Sequence, residues 1–236
     1  LFTAITESGK TEAVRSFSLY LHQHFGITGG GEYLRLFEEL TDLYGTGIKS
    51  PLPVDLSEQV RTISSTIRGR LRKDEQILVY LRFLELARGG NRKKAGELFD
   101  ILADVFYITR SEQEKFKAFI FRTNKDQLDS SDFLLIDNDP DEKIHKYRHI
   151  SDTKLNGELL FMRSPLIGHF VFNYRGNEEL TYEGNPVIAD RFYAFREGSI
   201  IRGRRISPVY FTDVAALFSE KPREPAFIFS GEEIDF

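Results

Sequence analysis

Between residues 11 and 122 the apolar positions return at helical spacing, and past residue 125 they return in short runs fenced by turn formers, so the chain changes rhythm once. Val14, Phe17 and Leu21 make a first stripe that stops at Gly26, and Tyr33, Leu36, Phe37, Leu40, Leu43 and Tyr44 make a second that stops at Gly45. After Pro51 and Pro53 come Leu56, Val60, Ile63 and Ile67, then Ile77, Leu78, Leu81 and Leu84 before Gly89-Gly90. Ala95, Leu98, Leu102, Val105 and Phe106 form the next stripe. Ser111 with Glu114 three residues on reads as a capping box, which predicts a last helix with Phe116, Phe119 and Ile120 on its apolar face. Each stripe covers only part of its helix, so the helices must bury these faces against one another.

The second rhythm predicts strands. Phe133-Leu134-Leu135-Ile136 is too short for a helix and lies between Ser130-Ser131 and Asn138-Asp139-Pro140. Leu159-Leu160-Phe161, Phe170-Val171-Phe172, Phe192-Tyr193-Ala194-Phe195, Ser199-Ile200-Ile201 and Val209-Tyr210-Phe211 follow, separated by Asn156-Gly157, Gly176-Asn177, Gly184-Asn185 and Glu197-Gly198. That spacing predicts a small antiparallel β-sandwich, with one or two helical turns over Thr212–Phe218. The fold expected is α+β in two domains: a helical bundle over residues 1–125 and a β-sandwich over 126–236.

Composition narrows the chemistry. Cysteine is absent from the 236 residues, which removes disulfides and thiolate metal sites. Residues 1–125 hold 19 Lys+Arg against 16 Asp+Glu (+3) and residues 126–236 hold 13 against 20 (−7), so neither half concentrates positive charge as a nucleic-acid binder does. No apolar run has the length of a membrane span, so no direct insertion is expected. The chain begins at Leu1 without a signal-peptide pattern and ends in the apolar alternation Phe227-Ile228-Phe229 and Ile234-Asp235-Phe236, which reads as a piece cut ahead of another domain.

Motifs for catalysis are few. Tyr44-Gly45-Thr46-Gly47-Ile48-Lys49-Ser50 ends like a phosphate loop but has Ile48 where a glycine is needed. Asp137-Asn138-Asp139-Pro140-Asp141 starts like a calcium loop, yet Glu142 and Arg148 stand at the positions of the turn glycine and the bidentate glutamate. His22 and His24 point to different helix faces, and His145 and His149 sit in an extended segment, so all four read as surface histidines and His169 as a strand-edge residue. No catalytic residue, cofactor site or metal site is assigned. The one charge concentration is Arg191, Arg196, Arg202, Arg204 and Arg205, of which Arg202, Arg204 and Arg205 are the candidates to grip an anion or a partner's acidic group. The bland alternative is a set of exposed strand arginines paired with the acids in excess here.

Leu155-Asn156-Gly157-Glu158-Leu159-Leu160-Phe161, Phe172-Asn173-Tyr174-Arg175-Gly176-Asn177-Glu178-Glu179-Leu180, and Gly198-Ser199-Ile200-Ile201-Arg202 running into Ile206-Ser207-Pro208-Val209-Tyr210-Phe211-Thr212-Asp213-Val214 resemble the N-terminal region of large bacterial ABC transporter ATP-binding proteins. The resemblance implies a TerB-like helical domain followed by a forkhead-associated-like β domain. The nucleotide-binding cassette would lie downstream, so ATP and magnesium would be cofactors of the parent ATPase and not of this piece. It implies a non-catalytic regulatory or interaction region, cytoplasmic and held at the inner face of the cell membrane by the rest of the parent. Its partners would be the downstream nucleotide-binding domain, another protein or a second copy in a homodimer. The acidic motif of TerB-like domains is replaced at Glu7-Ser8-Gly9-Lys10 and Gly89-Gly90-Asn91-Arg92. Glu183-Gly184-Asn185-Pro186 before Gly198-Ser199-Ile200 is similar to the closing turn and strand of the forkhead-associated fold, while the Gly-Arg and Ser-x-x-His pattern that reads phosphothreonine is missing. A phosphopeptide- or anion-binding signalling module without a transport role is the alternative function.

Overall fold

The stripe that starts at Leu56 becomes helix α1, Val54–Arg70, in a computed structural model that describes residues 54–89, 92–140 and 145–219 together with Val14 and Ser18, both helical. The remaining predictions, at Glu7-Ser8-Gly9-Lys10, Phe17, residues 19–53 with the histidines His22 and His24, Gly90-Asn91, Asp141 to Ile144, and the C-terminal Phe227–Phe236, lie outside the described residues. Helices α2, Lys73–Leu86, α3, Arg92–Phe106, and α4, Arg110–Phe121, complete a helical unit of the described residues up to Ser130, which also takes in Ser164–Phe170. Ile77, Leu78, Leu81 and Leu84 of α2, Leu98, Leu102, Val105 and Phe106 of α3 and Phe116, Phe119 and Ile120 of α4 are buried, as the spacing predicts, and Tyr80 and Phe99, outside the predicted stripes, are buried as well. In α1 the face is rotated. Ile63 is 46% exposed, whereas Val60 and Ser64 are buried, Ser64 Oγ donating to the Val60 carbonyl at 2.6 Å. A serine can sit inside there because its hydroxyl finds an acceptor one turn back on its own helix.

The last helix starts one residue before the predicted cap. Its N-cap is Thr109, whose Oγ1 accepts from the Glu112 amide at 3.3 Å, and Ser111 lies inside the first turn. The reason lies upstream: α3 ends with Tyr107 at φ 52, and the Tyr107 and Ile108 amides donate back to the Asp104 and Ala103 carbonyls. This closing pattern reverses the chain so sharply that Thr109 is already at the next helix's entrance. Lys73 adds a further cap by donating to the Phe106 and Tyr107 carbonyls, and burial pulls its ammonium pKa down, the Glu112 charge opposing that shift.

Tyr80 lies fully buried between Phe99 and Phe116, each ring 6.1 Å away, and its hydroxyl has no hydrogen-bond partner among the described residues. Burial pushes its pKa up, with the Asp100 and Glu114 charges adding to the rise. Tyr80→Phe keeps the ring and removes the unsatisfied group, so the variant is expected to gain about 1 kcal/mol in chemical denaturation of the full chain. A loss of that size would show that the hydroxyl is bonded in solution.

The β unit comprises Ser131–Arg163 and the described residues from Val171 onward. Its strands are β1, Phe133–Asp137, β2, Arg148–Ser151, β3, Gly157–Met162, β4, Phe170–Gly176, β5, Leu180–Tyr182, β6, Asn185–Pro186, β7, Phe192–Phe195, β8, Ile200–Gly203, and β9, Val209–Tyr210, with helix α5, Phe211–Ser219, after them. They form a five-stranded sheet, β2-β1-β3-β4-β7, and a four-stranded sheet, β6-β5-β8-β9. The fold class is α+β with the helices of α1–α4 ahead of the strands. One pairing departs from the antiparallel expectation: β1 and β2 run parallel, with Leu135 opposite His149. Leu160, Met162, Val171 and Asn173 are buried behind the sheet's other inner face of Phe161 and Phe172, which is why these runs show no alternation.

The aromatic side chains of both sheets meet in one core. Phe172 has Phe161, Tyr182, Tyr193 and Phe195 around it at ring separations of 5.2–5.7 Å. Helix α5 extends the expected Thr212–Phe218 segment by one residue at each end, and two arginines hold its C-terminal end: Arg148 donates to the Leu217 carbonyl at 2.7 Å and Arg163 to the Phe218 carbonyl at 3.0 Å, with both guanidinium groups over the Phe218 ring.

Candidate functional site

Antiparallel pairing of β5 with β8 sets Thr181 opposite Arg202 and Tyr182 opposite Ile201, which brings the end of β5 beside the beginning of β8. Two turns therefore lie side by side. The β5–β6 hairpin turns through Glu183 and Gly184, at φ 49 and 79, as a two-residue loop of this kind requires. The β7–β8 connection turns through Glu197 and Gly198, with Gly198 at φ 82 and the Ser199 amide donating to the Arg196 carbonyl at 3.0 Å.

Buried Ser199 ties the two turns together. Its hydroxyl accepts from the Arg196 amide at 3.3 Å, lies 3.0 Å from the Tyr182 hydroxyl and 3.3 Å from a Glu183 carboxylate oxygen. Tyr182 in turn donates to the Ala194 carbonyl at 2.5 Å. Burial is the main reason that the Tyr182 pKa rises; the Glu183 carboxylate adds to the rise, while the Ser199 hydrogen bond and the Arg196 charge oppose it. Tyr182 thus stays a neutral hydroxyl, and Ser199, committed to three partners with no histidine among them, is a structural tie and not an activated nucleophile.

Between the turns is an open groove of about 480 Å³ whose lining includes Thr181, Glu183, Arg196, Glu197, Ser199 and Arg202. Alternation along β8 explains the composition: Ile201 points into the core, so Arg202 points out beside Thr181. The side chains of Arg196 and Arg202 make no ion pair among the described residues, in contrast to Arg175, which reaches Glu158 and Asp190, and Arg163, which reaches Asp132. Two free guanidinium groups on one concave surface can hold an oxyanion by bidentate hydrogen bonds.

Of the three candidate arginines the structure brings one to this groove. Arg204 and Arg205 are exposed in the bend after β8 and do not line it, because the regular strand ends at Gly203. Arg196, grouped with them in the sequence, does line it. Glu183, Glu197 and Thr181 were not singled out as site residues; the repeated Glu-Gly pairs at 183–184 and 197–198 are the signal that marks them.

A second cluster lies at β2. His145, Tyr147 and His149 share one face of an extended segment: His145 stacks on Tyr147 at 4.6 Å, and His149 lies edge-on to His145 at 5.7 Å. His149 is not the surface histidine expected, since its Nε2 lies 3.0 Å from Oδ1 of buried Asp137. The same Asp137 oxygen accepts from the Asp139 amide at 2.9 Å. The carboxylate that opens the calcium-like motif is thus turned inward and engaged by its own loop and by β2. Among the described residues no group of three or more acidic or histidine side chains is placed to hold a metal ion.

Comparison of the chain with family models, with curated proteins and with solved structures finds no match.

Proposed function

We propose that this chain is a non-catalytic binding region, that the groove between the Glu183-Gly184 and Glu197-Gly198 turns is its contact site, and that Arg196 and Arg202 there receive an oxyanionic group of the ligand. The observation that carries this reading is the pair of arginines on one concave surface without counter-ions among the described residues. Arg163 and Arg175 of the same unit find acidic partners, whereas exposed Arg204 and Arg205 find none among the described residues, so it is the shared concave surface that sets Arg196 and Arg202 apart. Arg202→Ala is expected to weaken binding of a phosphate monoester to the full chain by about 1 kcal/mol, read by titration of backbone amide shifts at the two turns, with a smaller effect at high salt. Equal binding by wild type and variant would remove the groove from consideration.

The setting we propose for this contact is a cytoplasmic accessory region of an ABC-type transport ATPase, in which the chain would bias the motor by docking to its nucleotide-binding domain or to a partner. The stretches from Leu155 to Leu180 and from Gly198 to Val214 support it, as does the order of helices before strands. No described helix is long and apolar enough to cross a membrane. The test is the coding sequence after Phe236: a phosphate loop in the next domain supports the assignment, and its absence refutes it. A signalling module that binds an anionic or phosphorylated ligand without transport uses the same groove, and the Arg196–Arg202 pair is the observation in its favour.

A further inference from the structure

The groove is not simply basic. Glu183 and Glu197 stand on the same surface as Arg196 and Arg202, giving two charges of each sign on one concave wall. Opposite charges that share a groove commonly neutralise each other by pairing, yet none of these four side chains forms an ion pair among the described residues. The groove therefore carries charges of both signs and little net charge, so a plain anion drawn to the arginines meets repulsion from the carboxylates.

Glu183 is held in place by its turn and by Ser199. It stands at φ 49, where glycine or asparagine is unstrained, and a β5–β6 turn made of either would fold more easily. Glutamate also extends its carboxylate toward the Ser199 hydroxyl, 3.3 Å away, which places that carboxylate relative to the strand that carries Arg202.

We infer that the groove takes a dipolar ligand, an oxyanion with a cationic group a few ångströms from it, the oxyanion lying on Arg196 and Arg202 and the cation on Glu183 and Glu197. The inference rests on the contact-site reading above and specifies its ligand. It makes Glu183 and Glu197 specificity determinants and not mere solvated turn residues.

The test uses the full chain and two soluble probes, ethyl phosphate and phosphoethanolamine, which share the phosphate monoester and differ in the ammonium group. Wild type is expected to prefer phosphoethanolamine by about two- to fivefold for each carboxylate engaged, the range of exposed ion pairs. Glu183→Gln with Glu197→Gln, both conservative and at exposed positions, is expected to abolish that preference and to strengthen ethyl phosphate binding. Arg202→Ala is expected to weaken both probes. If wild type binds the two equally, with both lost in Arg202→Ala, the dipolar ligand is overturned and the anion site stands. If neither probe binds, the contact-site reading falls and the inference with it. Vesicles containing phosphatidylethanolamine separate the sources of the same chemistry: sedimentation with them that Arg202→Ala abolishes assigns the ligand to a lipid headgroup, and preference for the soluble probe without vesicle binding assigns it to a free molecule; either supports the dipolar ligand.

Discussion

Phe172→Ala is expected to remove about 3–5 kcal/mol from the β unit, the top of the range for a core truncation. The ring is wholly buried and both sheets contribute its neighbours: Phe161 and Phe195 belong to the five-stranded sheet and Tyr182 to the four-stranded one. Truncation leaves a void lined by rings on strands that already pair with each other, so collapse to fill it would break register. A typical domain is stable by about 5–15 kcal/mol, and the loss is therefore a third of the total or more. Because the chain has two units, a single unfolding midpoint would blur the effect. Hydrogen exchange resolved by peptide isolates it: protection over Gly157–Met162 and residues 171–176 should fall sharply while protection over α2 and α4 is unchanged. Unaltered protection of β3 and β4 would show that the ring cluster does not hold the sheets together.

Gly157→Ala is expected to cost about 3 kcal/mol, nearly as much, although it adds only a methyl group. Gly157 opens β3 at φ 137 and pairs with Gly176 at the end of β4. A Cβ at Gly157 would sit 2.7 Å from the Gly176 Cα and closer still to the Arg175 carbonyl, which are backbone atoms that cannot swing aside. The close approach has a use. The Tyr174 hydroxyl donates to the Asn156 carbonyl at 2.9 Å and accepts from the Glu178 amide at 2.6 Å, so one side chain ties the loop before β3 to the loop after β4. Burial raises the Tyr174 pKa, the Glu178 charge adding to the rise and the Glu178 amide bond opposing it. Thermal unfolding of the variant, compared with Gly184→Ala as a left-handed glycine with open space around it, separates collision from backbone strain. A loss no greater than that of Gly184→Ala would show that the strands part without difficulty.

What could be read in the chain follows from how local each signal is. The faces of α2, α3 and α4 were legible because burial at every third or fourth position is written into the sequence itself, and so were β1, β3, β4 and β7. Ile63 misled because its spacing fits an apolar face, whereas the buried side depends on where the other helices lie. The cap at Thr109 was missed in favour of Ser111 because both residues have the chemistry, and only the left-handed Tyr107 decides between them. Strands β5 and β6 lack a run of apolar residues, since Thr181 interrupts Leu180 and Tyr182 and Asn185-Pro186 has the composition of a turn.

The sequence by itself determined the order of helices before strands, the apolar faces of the main elements and the lack of thiol chemistry, all of which depend on near neighbours or on counting. Only the tertiary structure decided which charges share a surface. Arg202 meets Glu183 and Arg196 because antiparallel pairing of β5 with β8 folds distant turns together, while Arg204 and Arg205, next to it along the chain, fall beyond the end of the strand. The parallel pairing of β2 with β1, which sets His149 against Asp137, is likewise a choice among partners. Such choices rest on the free energy of whole sheets closing, a sum over many strands that no short stretch of residues contains.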